Sequence, residues 1–247
     1  MAAALITGSS RGIGAAAAHA LAARGLRVAV HASADVERAR AVAEALPGDG
    51  HAAVAGDLAD PAAVQRFVDE AAAALGGLDV LVNNAGVWLD APTDGELEAW
   101  REVWRATLAV NLVGAADASF CALRHFRAAG GGRIVNVTSR GAFRGEPVAL
   151  PYGASKAGLN AFGQSLAVAL APEGIAVMAV APGFVETDMT TRVLATPKGD
   201  AIRAQSPFDR VARPEEIAET IAWLATAAPE WLSGAIVDAN GASYLRT

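Results

Sequence analysis

The chain predicts an α/β protein: a single domain over residues 1–247 built on a doubly wound, seven-stranded parallel sheet with helices on both faces. Two observations predict it. Short Val/Ile/Leu/Ala runs alternate with longer segments of helical apolar spacing, and a glycine-rich turn joins the first run to the first helical segment. A chain of 247 residues with 53% hydrophobic content has ample material for one large core.

In order, Ala3-Ala4-Leu5-Ile6 opens a first strand near residues 3–7, followed by the turn Thr7 to Gly14 and an Ala-rich helix over 15–24. A second strand near 27–31 ends in His31-Ala32-Ser33, and Asp35 is placed to cap the helix that follows. Further strands are expected near 52–55, 79–82, 133–138, 175–180 and 235–238, with long helices near 97–120 and 152–171. There is no internal repeat and no low-complexity linker to divide the chain.

Composition narrows the function. Twenty basic and 26 acidic residues, net −6, form neither a stripe for nucleic acid nor a patch for a membrane, which leaves a small molecule as partner. Cys121 is a lone thiol in an apolar context, and His19, His31, His51 and His125 lack metal-ligand spacing, so no metal is expected. No basic stretch precedes an apolar one at the amino terminus, and Lys, Glu, Pro or Gly interrupt apolar runs short of the ~20 residues of a membrane span. The expectation is a cytoplasmic protein.

Ligands of doubly wound sheets bind beyond the carboxyl ends of the strands. The turn Gly8-Ser9-Ser10-Arg11-Gly12-Ile13-Gly14 lies at such an end, and its glycines let the backbone approach a pyrophosphate held at a helix amino terminus. Gly12, Gly14 and Ala17 also satisfy G-x-G-x-x-A. The second strand carries no acid at its tip to bind ribose hydroxyls, whereas Arg11 and Ser33 offer a charge and a hydroxyl to a 2′-phosphate, so NADP(H) is favoured over NAD(H).

Tyr152 and Lys156 are four apart on a predicted helix and so share a face. A phenol titrates near ~10. A cation about 4 Å away at an effective dielectric of about 20 contributes on the order of 4 kcal/mol, enough to make the phenol a usable acid.

Together Thr7 to Gly14, Asp57-Leu58, Asn83-Asn84-Ala85-Gly86, Asn111, Ser139, Tyr152 with Lys156, and Pro182-Gly183 resemble the short-chain dehydrogenase/reductase family in its compact Rossmann form, across essentially the whole chain. The resemblance implies that Asp57 and Leu58 flank the adenine, Asn84, Ala85 and Gly86 the adenosine ribose, and Val185 with Thr187 the carboxamide beyond Pro182-Gly183. It further implies that nicotinamide exchanges a hydride with a carbonyl or secondary alcohol while Tyr152 transfers the proton. Lys156 then lowers the phenol pKa and binds the nicotinamide ribose, Ser139 donates to the substrate oxygen, and Asn111 holds a water linking Lys156 to solvent. Compact members are commonly homotetramers, so a homotetramer or homodimer is expected.

In wording, Ser10 to Gly14 and Pro182 to Met189 are closest to the 3-oxoacyl-acyl-carrier-protein reductases. Those enzymes tend to carry basic residues for their acidic carrier where this chain has Gly130 and Glu173, and a Glu there would repel such a partner. Trp88, Phe143, Arg144, Val148, Leu150, Phe184 and the segment 189–206 are candidates for the pocket rim. Arg140 and Arg144 hint at an anionic substrate group, with solvated arginines as the alternative. A dinucleotide-sensing regulator without catalysis is the alternative function. A sugar-nucleotide epimerase would need a longer carboxy-terminal region than the chain shows.

Overall fold

A computed structural model describes residues 2–246. Seven parallel strands form one sheet in the order β3-β2-β1-β4-β5-β6-β7. They are β1 (Ala3–Ile6), β2 (Arg27–Ala32), β3 (Ala52–Ala55), β4 (Val80–Asn83), β5 (Gly132–Val137), β6 (Ile175–Pro182) and β7 (Ile236–Ala239). Each expected strand is present to within two residues at either end. The order reverses between β1 and β4, whose registers pair Leu5 with Ala29 on one side and with Leu81 on the other. That reversal opens the crevice in which ligands of such sheets bind.

Strand side chains alternate between two cores. Ile6, Val28, Val30, Val82, Val135 and Met178 face the side covered by α1 (Gly12–Ala22) and α10 (Pro214–Thr226). Leu5, Leu81, Ile134 and Val177 face α3 (Pro61–Leu75), α5 (Gly114–Ala129) and α7 (Leu150–Leu170). Burial on both faces is what makes the strands read as continuous apolar runs. Asp35 caps α2 (Val36–Glu44) as expected, its carboxylate accepting the Arg38 N–H at 3.1 Å.

The helix expected near 97–120 is longer. It runs from α4 (Leu97–Leu108) through one turn of π-helix, Ala109–Val113, into α5. Although Glu98, Glu102 and Gly114 interrupt it, Leu97–Ala129 is long and apolar enough to cross a bilayer by length and composition alone. Its apolar residues instead serve the core: Ala118, Ala122, Leu123 and Phe126 are buried in the cluster below the sheet.

Candidate active site and cofactor cleft

Beyond β1, the glycine turn is tied down from two sides. Gly8 adopts φ +63°, which favours glycine, and its N–H donates to His31 Nδ1 at 3.0 Å. Because Nδ1 accepts, the proton sits on Nε2, which donates to the Gly56 carbonyl at 2.9 Å. His31 is fully buried against Phe67, and burial holds its pKa down at about 4, so the ring is neutral. From β4, Asn84 Nδ2 donates to the carbonyls of Thr7 and Gly8, while Thr7 Oγ1 accepts the Asn84 and Ala85 N–H groups.

This cradle fits a dinucleotide. A methyl group on Gly14 would stand 2.5 Å from Asn84 Nδ2 and 2.6 Å from the Gly8 carbonyl, so only glycine lets the backbone pack this closely. The first turn of α1 carries no acidic residue, and Arg11 before it makes no side-chain cap, which leaves the positive helix end open to a phosphate. Arg11, Ser33 and Arg38 are all exposed around this end of the cleft. Arg11 and Arg38 converge on Asp188 at 3.8 and 3.4 Å. The sequence reading missed Arg38, because a cation on an exposed helix face carries no signal until the fold brings it beside the turn.

Among the other expected cofactor residues, Ser10, Gly12 and Ile13 line the start of α1, and Leu58 is buried where Gly114 packs onto its backbone. Asp57 spends one carboxylate oxygen on the Ala59 N–H, in the manner of a turn residue. Ala85 and Gly86 follow β4. Pro182 ends β6 and Gly183 follows it, Val185 is buried, and Thr187 caps α8 (Asp188–Leu194).

The four residues expected to carry the chemistry come together at the ends of β4, β5 and α7. Asn111 sits in the π-turn, fully buried, and clamps Val87 twice: its Oδ1 accepts the Val87 N–H at 2.8 Å and its Nδ2 donates to the Val87 carbonyl at 3.0 Å. The same amide reaches Ser155 Oγ at 3.1 Å, which in turn donates to the Tyr152 carbonyl. Gly86 faces this group, since a methyl there would lie 3.3 Å from both Asn111 Oδ1 and Lys156 Nζ.

Tyr152 lies under Trp88, with ring centroids 4.7 Å apart. Burial pushes its phenol up to about 12, the Ser139 hydroxyl, hydrogen-bonded to it, pulls it down, and the Glu146 carboxylate adds to the rise. Lys156 does not counter this as the spacing argument expected. Its Nζ stands 5.8 Å from the phenol ring centre and donates to the Val137 carbonyl at 2.8 Å, and burial lowers its own pKa to about 8. Spacing four apart places both groups on one face of α7, but the ammonium is drawn to the strand carbonyl beside it.

The short chain dehydrogenase family profile matches residues 2–198. The chain belongs to that family. It is 42% identical to cis-4-hydroxycyclohexanecarboxylate dehydrogenase of Sinomonas cyclohexanicum, covering 96% of this chain and 94% of that protein. It is 36% identical to 3-oxoacyl-acyl-carrier-protein reductase FabG of Escherichia coli, covering 98% and 97%. A crystal structure of a short chain dehydrogenase from Burkholderia cenocepacia in complex with NADP superposes with a TM-score of 0.87 at 38% identity, covering 97% and 96%. The chain is therefore an oxidoreductase of the alcohol/carbonyl type that uses a nicotinamide cofactor. A non-catalytic regulator is not favoured.

Proposed function

We propose that this enzyme reduces a ketone with NADPH, as a 3-oxoacyl reductase-like catalyst, with Tyr152 as general acid and, in the reverse direction, as general base. The observation that carries the reading is the Ser139 hydroxyl set against the Tyr152 phenol, which gives one substrate oxygen two donors. The nicotinamide supplies the hydride. A phenol at about 12 is protonated at neutral pH and is ready to donate as negative charge grows on the substrate oxygen. In this reading Lys156, beside Gly86 and Asn111, binds the nicotinamide ribose, and Asn111 takes part in the path that returns protons from solvent.

Arg11, Arg38 and Ser33 support NADP(H): two exposed guanidinium groups converge on Asp188 beside the glycine turn, and Ser33 at the end of β2 adds a hydroxyl where an acid would repel a 2′-phosphate. Glu173 bears on the carrier protein. Its carboxylate accepts from Arg127 at 2.6 and 3.0 Å, so its charge is balanced rather than presented bare to an acidic partner. Exposed Phe120 on α5 and Val168 on α7, 75% and 81% accessible, support self-association through these helices. Light scattering that finds a monomer would remove that part of the reading.

The deciding experiment is a panel of ketones assayed with NADPH and NADH, repeated on Tyr152→Phe. A fall in turnover of about 10²–10⁴ with cofactor affinity unchanged supports the acid role. Turnover like that of the wild type rejects it.

A further inference from the structure

Arg140 was expected to lie in solvent if it did not serve the substrate, and it does not lie in solvent. It is 3% exposed, and its side chain borders a cavity of about 270 Å³ also lined by Phe184, Ile202, Ser206, Phe208 and Ser243. One side of the guanidinium rests on the Phe184 ring at 5.0 Å. Its nitrogens donate to neutral oxygens only: Ser243 Oγ, and Gln205 Oε1 at 2.5 Å. Arg144, from α6 (Gly141–Arg144), donates to the same Gln205 oxygen at 3.1 Å.

Two guanidinium groups thus share one amide oxygen, and among the described residues no carboxylate lies within ion-pairing distance of either. A buried cation normally has a counter-ion, because desolvating it unpaired is costly. The cost registers on Arg140, whose pKa falls to about 10 through burial and then through repulsion from Arg144, opposed by Glu146. Glu146 makes no ion pair with either arginine; burial raises its pKa, and Arg144 and Arg140 oppose that rise from a distance. Glu216, which lines the cavity, is occupied by Arg210 at 2.6 Å through both oxygens.

We propose that Arg140, assisted by Arg144, is a carboxylate-recognition site that seats the acidic end of the substrate in the cavity beside β6 and β7. This deepens the reductase reading and rests on it. Consecutive residues of β5's outgoing loop then serve opposite ends of one ligand, Ser139 its carbonyl oxygen and Arg140 its carboxylate. Planar guanidinium groups suit a carboxylate because they donate through parallel N–H pairs. The apolar walls supplied by Phe184, Ile202 and Phe208 suit hydrocarbon next to the carboxylate. Gln205 and Ser243 hold the cation in place and yield one of their bonds when the carboxylate arrives.

The test is calorimetric titration of benzoate and of benzamide, matched in size, into the NADP-loaded enzyme, with benzoate also assayed as an inhibitor of ketone reduction. The expected result is benzoate bound about ten- to a hundredfold more tightly than benzamide, as a charge-assisted contact gives, and competing with the ketone. Arg140→Gln should abolish the preference, and Arg144→Gln, at an exposed position, should reduce it about threefold by the same reasoning. Equal affinities, or a preference intact in a folded Arg140→Gln, overturn the site. Non-competitive inhibition assigns it to a separate carboxylate effector and overturns the substrate role. If Arg140→Gln does not fold, the wild-type ratio and Arg144→Gln decide. If no ketone is turned over, the reductase reading falls while the titration still decides the carboxylate site.

Discussion

Trp88 leans over Tyr152 at an interplanar angle of 49°, so the ring that covers the phenol comes from the loop after β4 rather than from α7 itself. Such a pair contributes roughly 0.5–1.5 kcal/mol beyond area burial and excludes water from the phenol. Trp88→Ala should hydrate Tyr152 and bring its pKa down from about 12 toward the ordinary value. If the phenolate is the base in the alcohol-oxidising direction, as proposed, the rise of rate with pH should move to lower pH by about one unit. A pH profile superimposable on that of the wild type would count against this role for Trp88.

Lys156 is a stability cost in this fold. Its pKa of about 8 in the fold lies below the ordinary 10.5, so the native state sheds this proton before the unfolded chain does. Stability from this group is therefore lowest below pH 8 and recovers as pH rises to 10.5. The difference corresponds to about 3 kcal/mol, and losing the bond to Val137 returns about 1 kcal/mol. Lys156→Met should raise the melting temperature at pH 7 by about 4–8 °C while removing activity. A lowered melting temperature would be the contrary outcome.

His31 follows the same pattern on the acid side. Its folded pKa of about 4 is below 6.5, so its contribution is complete above pH 6.5 and is lost as pH falls toward 4, when the unfolded chain takes up a proton that the buried ring refuses. The loss amounts to about 3 kcal/mol. Urea denaturation of His31→Gln should show a shallower decline of stability over this window than the wild type. Parallel declines would locate the acid sensitivity elsewhere.

Arg38 should distinguish the two cofactors. If it faces a 2′-phosphate beside Arg11, Arg38→Ala raises the KM for NADPH about tenfold or more and leaves that for NADH within about twofold. Equal effects on both cofactors would show that Arg38 acts only through its contact with Asp188.

What could be read along the chain was local or repetitive. Leu5, Val28 and Leu81 lie on strands buried on both faces, so their runs are unbroken, and Asp35 caps a helix three residues away. Contacts set by distant partners were not readable. Arg140 is enclosed by Gln205 and Ser243, 65 and 103 residues further along, and no nearby residue signals that it leaves solvent. The spacing of Tyr152 and Lys156 fixed a shared face but said nothing of Val137, the strand carbonyl that captures the ammonium. Asn111 stood out by its family position, whereas the widened turn that points it at Val87 breaks the periodicity by which helices are recognised.

That widened turn also acts as a phase lock. With 3.6 residues per α-helical turn, one residue added or removed rotates everything downstream by about 100°. Deleting any single residue of Ala109–Val113 would either relax the turn and withdraw Asn111 from Val87, or hold Asn111 and swing Ala118, Ala122 and Phe126 out of the core. The segment should accept changes of side chain far more readily than changes of length, a constraint imposed by angle rather than by chemistry.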